Sequence, residues 1–163
     1  MPFNNLKNEL SKLFSGKILI VGIGNQLRSD DGFGPALISR IQEKVKANCL
    51  DAGSSPENYI GKIVKLEPDV ILFVDAVIMD EPPATIKLIK EEQIPQYGFS
   101  THNMSPKLMI ENIKSQIKVK IFMLGIQPKN LEFGEKISKE LNEMLISLDS
   151  IFVEILGKDE IKK

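Results

Sequence analysis

The chain has 163 residues, 42% of them hydrophobic, and a formal net charge of −1. A chain of this length buries about 70% of its unfolded surface in one core, so we expect a single domain over residues 1–163, with a helix within 1–16 and a polar tail at 157–163. The balanced charge excludes the basic surface of a typical nucleic-acid-binding protein, and no apolar run reaches the length of a membrane span. We expect a cytoplasmic protein without membrane insertion; its oligomeric state stays open.

The first half of the chain predicts a short amphipathic helix followed by two units of strand and helix. Residues 17–23 form a continuous β-branched and aliphatic run, which is typical of a strand covered on both faces. Apolar residues then recur at helical spacing, and Pro56 suits the first turn of a further helix. The predicted helices are 3–14, 33–45 and 56–66, and the predicted strands are 17–23 and 48–52.

The second half continues the alternation. The predicted strands are 69–74, 85–90 and 119–126, and the predicted helices run from 106 to 117 and from 133 or 134 to 156, with a loop at 93–101. Prolines precede the strand at 85–90 and lysines flank it, which is typical of a sheet edge. The alternation predicts an α/β fold: a three-layer α/β/α sandwich with a mainly parallel, twisted five-stranded sheet and one antiparallel edge strand.

Acidic side chains follow two of the predicted strands, and a histidine precedes a helix. Asp30 and Asp31 come after the first strand, Asp75 after the third, and His102 before the helix that begins at Pro106. Because loops at the carboxyl ends of parallel strands meet at one edge of a sheet, we expect these side chains to lie close together. Two carboxylates and one imidazole suit Ni, Zn or Fe with open positions. Each residue also has a purely structural interpretation, as a helix-terminal acid, a turn residue or a solvated histidine.

Other chemistries fit the motifs less well. The glycines of residues 22–24 begin like a dinucleotide fingerprint, but residues 25–29 intervene before the helix and the paired acids would repel a pyrophosphate. We therefore expect no organic cofactor. Cys49, the one cysteine, lies in a predicted strand, where a small buried side chain is favoured over a nucleophile paired with His102. No G-x-S-x-G elbow is present.

The motifs, in their order, resemble those of the hydrogenase maturation endopeptidases. They cover the chain from about residue 17 to residue 148, and two of them are most similar to the branch that processes the large subunit of hydrogenase 3. The motifs are GIGN at 22–25, DDGFG at 30–34, DAGSSPEN at 51–58, VDA at 74–76, THN at 101–103 and LGIQP at 124–128.

The resemblance implies a cytoplasmic protease that removes the C-terminal extension of the nickel-loaded precursor of a [NiFe] hydrogenase large subunit. The precursor supplies the nickel, which serves as the recognition signal. By position, Asp31, Asp75 and His102 match the residues taken to contact nickel and carry the reaction, and Asp30 matches a supporting acid. Several relatives have Glu at the position of Asp31, so the carboxylate of this chain reaches one methylene less far.

Two other functions stay open from the residues alone. One is a nickel-binding hydrogenase assembly chaperone without protease activity. The other is a peptidyl-tRNA-hydrolase-like esterase, which residues 22–25 and His102 faintly resemble, although the near-neutral charge disfavours a tRNA partner. Within the protease, Asp30 or Asp31 is the candidate general base, and the ion either polarises the scissile carbonyl or activates a water molecule.

Overall fold

The fold is a three-layer α/β/α sandwich around one five-stranded sheet. The computed structural model describes residues 3–98, 104–134 and 136–158. The strands are β1 (Ile18–Ile23), β2 (Asn48–Gly53), β3 (Val70–Ala76), β4 (Ile86–Lys90) and β5 (Lys120–Ile126), in the spatial order β2-β1-β3-β5-β4. All pairings are parallel except that of β4 with β5. The predicted fold class is confirmed, including the antiparallel edge strand.

Six α-helices cover the two faces of the sheet in the described ranges. They are α1 (Phe3–Leu13), α2 (Phe33–Ile41), α3 (Ile60–Leu66), α4 (Ile94–Tyr97), α5 (Pro106–Gln116) and α6 (Lys139–Leu156). Buried side chains of α1, α2 and α6 share one hydrophobic core with the sheet, and those of α3, α4 and α5 share the other. No helix among the described residues combines the length and apolarity needed to cross a membrane.

The central strands are apolar throughout because both of their faces are covered. In β1, Ile18 and Ile20 enter the core beneath α1, α2 and α6. Leu19, Val21 and Ile23 point to the opposite face and enter the core beneath α3, α4 and α5. Successive strand residues point to opposite faces, so a strand buried on both sides has no polar alternation.

Backbone contact brings α2 directly onto the ends of β1 and β3. A Cβ atom on Gly34, in the first turn of α2, would lie 2.5 Å from the carbonyl oxygen of Val74 and would clash with that of Ile23. A Cβ atom on Gly22 would lie 2.5 Å from the carbonyl oxygen of Gly34. The start of α2 is therefore fixed over the carboxyl ends of the two central strands, and the residues just before it are fixed there too.

Several predicted boundaries were wrong. Helix α2 ends at Ile41 rather than at 45, and residues 56–59 form a 3₁₀ helix before α3. The last helix begins at Lys139 rather than at 133 or 134, because the preceding backbone makes hydrogen bonds to residues 29 and 30 instead of helical ones. Residues 94–97, expected in a loop, form α4, in which Pro95 occupies the first turn and Ile94 is fully buried. Burial of Ile94 against the sheet outweighs the weak local signal for a helix.

We predict that Gly34→Ala destabilises the protein by at least about 2 kcal/mol, because its methyl group overpacks against strand backbone that cannot move aside. Gly61→Ala is the matched control, since Gly61 is an exposed residue of α3 with nothing within 4 Å of its would-be Cβ. That change is expected to stabilise by roughly 0.5–1 kcal/mol through helix propensity. Urea unfolding measures both, and equal free energies of unfolding for the two variants would contradict the close-contact interpretation.

Candidate active site

Asp31 is held at the carboxyl edge of the sheet by a buried 3₁₀ helix, Ser29–Gly32, called here the acidic turn. The Oδ2 atom of Asp31 accepts a hydrogen bond of 2.8 Å from the backbone N–H of Asn25, and its own N–H donates to the carbonyl of Arg28 at 3.0 Å. Gly24 has φ +148°, and a Cβ atom there would overlap the carbonyl oxygen of Asp31. The GIGN motif therefore positions Asp31.

Asp75 lies within β3 and is fully buried. It was expected just after the strand, but the ladder continues through it, with Asp75 opposite Gly125 and Ala76 opposite Ile126. The acidic turn contacts β3, so Asp31 and Asp75 belong to the same edge of the sheet. Burial of a carboxylate is unfavourable unless specific interactions compensate it, and hydrophobic packing alone would not select an acid at this position.

Asp30 has a different environment from that of Asp31. Its side chain is fully buried and accepts four hydrogen bonds. The Oδ2 atom accepts from the N–H groups of Lys129 and Asn130 at 2.8 and 3.0 Å and from the hydroxyl of Ser138 at 3.0 Å. The Oδ1 atom accepts from the N–H of Ser138 at 2.7 Å. Both oxygens are thus directed at the chain after β5.

Gln127 organises the loop after β3, a role that the sequence did not reveal. Its Oε1 atom accepts hydrogen bonds from the N–H groups of Met79 at 2.6 Å and Glu81 at 3.4 Å. Its backbone accepts from Ala84 and donates to Thr85, both at 2.9 Å. The available signal was its position directly after the predicted strand in the LGIQP motif, where a polar residue enters the carboxyl edge.

His102, the one histidine of the chain, lies outside the described residues. The helix that follows it begins as predicted, with Ser105 as N-cap accepting a 3.1 Å hydrogen bond from the N–H of Leu108. Across 3–98, 104–134 and 136–158, no three His, Cys, Asp or Glu side chains are grouped as a metal site. His102 is not among those residues, so the ligand set of Asp31, Asp75 and His102 stays a prediction.

Cys49 is remote from the acids. It pairs with Ile20 toward the amino end of the β1–β2 ladder rather than at its carboxyl end. Burial raises the pKa of the thiol to about 11, and the positive charge of Lys158 offsets only part of that effect. The thiol is therefore protonated at neutral pH, which disfavours Cys49 as a nucleophile. Its side chain is half-buried against the core beneath α1, α2 and α6 rather than fully buried as expected.

Exposed apolar side chains surround this edge of the sheet. Leu27, Ile78 and Phe133 follow β1, β3 and β5, and they are 57%, 65% and 76% exposed. The guanidinium of Arg28 lies 4.2 Å from the centre of the Phe133 ring. Exposed apolar groups that cluster around a polar centre are typical of a protein-binding surface, and aromatic residues and arginine are enriched in such surfaces.

The model of one protein family, described as hydrogenase maturation protease (HycI), matches residues 35–155. The chain belongs to the hydrogenase maturation protease family. It is 37% identical over 118 residues to the hydrogenase 3 maturation protease of Escherichia coli K12, which spans 71% of this chain and 75% of that protein. The family establishes the chain as a peptide-bond hydrolase and favours the endopeptidase over the chaperone and the esterase.

Solved structures of family members share the fold. The [NiFe] hydrogenase maturation protease HycI of Thermococcus kodakarensis KOD1 superposes with a TM-score of 0.82 at 33% identity, covering 91% of this chain and 98% of that one. The endopeptidase HycI of Escherichia coli gives a TM-score of 0.74 at 30% identity, covering 85% and 90%. The sheet order and the strand that carries Asp75 therefore belong to a recurring hydrogenase maturation protease architecture.

We predict that a thiol reagent modifies Cys49 of this hydrogenase maturation protease slowly at pH 7. A pKa raised to about 11 leaves little thiolate there, so the rate should increase as the pH rises above 9. Unfolding in urea should restore the reactivity of an ordinary thiol, whose pKa is about 8.5. Cys49→Ser should retain full proteolysis. Rapid modification of the folded protein at pH 7, or an inactive Cys49→Ser variant, would show that Cys49 takes part in the chemistry.

Proposed function

We propose that this protease removes a C-terminal extension from the nickel-loaded precursor of a [NiFe] hydrogenase large subunit in the cytoplasm. Asp31, Asp75 and His102 contact the nickel that the precursor brings. The observation that carries the proposal is the presence of two buried acids, Asp31 and Asp75, at one sheet edge in a member of the hydrogenase maturation protease family. The names of related proteins, hydrogenase 3 maturation protease and [NiFe] hydrogenase maturation protease, support the choice of substrate.

The donor set suits a cation that the substrate carries in. Two carboxylates and one imidazole fill only part of a coordination shell, so the remaining positions are left for the precursor's own ligands. A nickel-free precursor brings no cation to the carboxylates of Asp31 and Asp75, so the contacts that a loaded precursor makes through its metal ion are lost. Nickel therefore acts as the recognition signal, and the ion makes a nearby peptide carbonyl or water molecule more reactive when it is bound.

The hydrogen-bond pattern favours Asp31 over Asp30 as the general base. Four donors from residues 129, 130 and 138 surround the Asp30 carboxylate, and a base must instead reach the proton that it removes. Asp31 sits one residue further along the acidic turn, beside β3 and the start of α2. Asp31 thus serves both as a nickel contact and as the candidate base, and Asp30 supports it.

The central experiment compares nickel-loaded and nickel-free precursor. We expect the loaded precursor to lose the mass of its extension after incubation with the enzyme and the nickel-free precursor to stay intact. Equal cleavage of both would refute nickel recognition, and cleavage of neither would refute this substrate. Calorimetric titration of the isolated enzyme with nickel is expected to show no tight stoichiometric site, whereas the chaperone alternative requires one.

Changes at His102 and Asp31, two of the three proposed contacts, should impair processing strongly without unfolding the protein. We expect His102→Ala and Asp31→Asn each to lower the cleavage rate at least about 10²-fold, the loss typical of a removed acid–base or charge-stabilising group. Gel analysis of precursor processing measures the rate, and circular dichroism checks the fold.

Asp69→Asn is the matched control for these variants. Asp69 precedes β3 at the opposite edge of the sheet, and its Oδ2 atom accepts a 2.7 Å hydrogen bond from the N–H of Lys17. We expect this variant to lose some stability and to cleave at the wild-type rate. Unchanged processing by His102→Ala would exclude the role proposed for that histidine.

A further inference from the structure

The acidic turn is interlocked with the chain that follows β5. Besides the four hydrogen bonds to the Asp30 carboxylate, the N–H of Asp30 donates to the carbonyl of Asn130 at 3.0 Å. The N–H of Ser29 donates to Gly134 at 2.6 Å, and the N–H of Gly134 donates to Leu27 at 2.8 Å. The two segments are about a hundred residues apart in sequence, yet they are held together like paired strands.

Ser138 does not act as an ordinary N-cap residue. It stands at the N-cap of α6, but its side chain makes no capping hydrogen bond to its own helix. Its hydroxyl and its N–H both donate to the Asp30 carboxylate instead. A carboxylate at a helix N-terminus is favoured by the helix dipole, so Asp30 caps α6 from a distant part of the chain.

A second buried carboxylate, Asp149, also connects α6 with the region of α2. The acidic turn leads directly into α2, and α2 packs against α6. In the second half of α6, Asp149 accepts hydrogen bonds from Arg40 in the last turn of α2 at 3.1 Å and from Lys44, just after α2, at 2.9 Å. Two buried carboxylates therefore tie the same pair of helices, one beside Asp31 and the other remote from it.

We infer that Asp30 is a positioning residue, which with Ser138 locks the loop after β5 onto the acidic turn and so fixes Asp31 for cleavage. The inference rests on the proposed function for its kinetic consequence. Asp30 does not touch the reacting atoms; its oxygens are directed at Lys129, Asn130 and Ser138. A displacement of about 1 Å in a reacting group lowers a rate by up to about 10²-fold. If the acidic turn is no longer held by the loop after β5, kcat should therefore fall.

The kinetic test uses Asp30→Asn together with two smaller changes at Ser138, Ser138→Ala and Ser138→Thr. An amide at position 30 presents an NH2 group to donors that need an acceptor, so Asp30→Asn should lower kcat about 10- to 100-fold while KM for the precursor stays within about 2-fold. Ser138→Ala removes one hydroxyl and should lower kcat about 3- to 10-fold, the range expected for the loss of one hydrogen bond of ordinary net strength. Ser138→Thr keeps the hydroxyl and should restore kcat.

Asp149→Asn is the matched control, because it breaks a buried carboxylate contact between the same helices away from the site. It should lower the melting temperature and leave kcat unchanged. If Asp149→Asn lowers kcat as Asp30→Asn does, the role of Asp30 is merely structural and the inference fails. If Asp30→Asn is inactive while Ser138→Ala is wild type, Asp30 acts in the chemistry itself and the inference also fails. If Asp30→Asn does not fold, the kcat values of Ser138→Ala and Ser138→Thr test the inference instead.

Amide hydrogen exchange gives a readout that needs no substrate. Exchange at Ser29, Asn130 and Gly134 should be faster in Ser138→Ala than in the wild type and slow again in Ser138→Thr, since these amides close the interlocked segments. Unchanged exchange would overturn the inference. If the wild type fails to cleave either precursor while exchange responds as expected, the proposed substrate is wrong and the interlock itself stands.

Discussion

The close backbone approach of α2 to β1 and β3 is the constraint on which the site depends. Gly22 and Gly34 let a helix touch strand backbone with no side chain between them, and the acidic turn immediately precedes that helix. A side chain at either glycine would lift α2 and carry Asp31 away from β3. The glycines of the GIGN and DDGFG motifs therefore set the distance between the acidic turn and β3.

The adjacent acids Asp30 and Asp31 have different surroundings because they point in different directions. Asp30 faces the chain after β5 and meets four donors there. Asp31 accepts from Asn25 and lies on the side of β3. A short 3₁₀ helix turns successive side chains by about 120°, so two neighbouring residues can serve a structural contact and a reactive centre at once. Positioning of this kind matters because a site loosened by about 1 Å loses much of its effect.

The loops around the acids combine a rigid base with an exposed apolar rim. Gln127 holds the loop that carries Ile78, and the interlocked segments hold Leu27 and Phe133. Exposed apolar side chains on well-ordered loops lose little conformational entropy when a partner covers them. That combination is typical of a surface that binds another protein.

The sequence by itself determined the architecture and the candidate residues. Continuous apolar runs identified the buried strands, prolines and lysines identified the edge strand, and the ordered motifs indicated the protease family, because all of these depend on neighbours in the chain or on local periodicity. The sequence also predicted that Asp31 and Asp75 lie at one edge of the sheet, because the carboxyl ends of parallel strands meet there.

Only the tertiary structure decided how those residues are used. Four features follow from contacts between distant segments. Asp30 caps α6, α6 begins only at Lys139, Asp75 lies inside β3, and Gln127 closes a loop. Such hydrogen bonds leave no periodic signal, because the donor and the acceptor are about a hundred residues apart for Asp30 and almost fifty for Gln127. The sequence identified the acids, and only the folded chain shows that Asp30 faces the chain after β5 while Asp31 faces Asn25 and β3, because direction and partners exist only after packing.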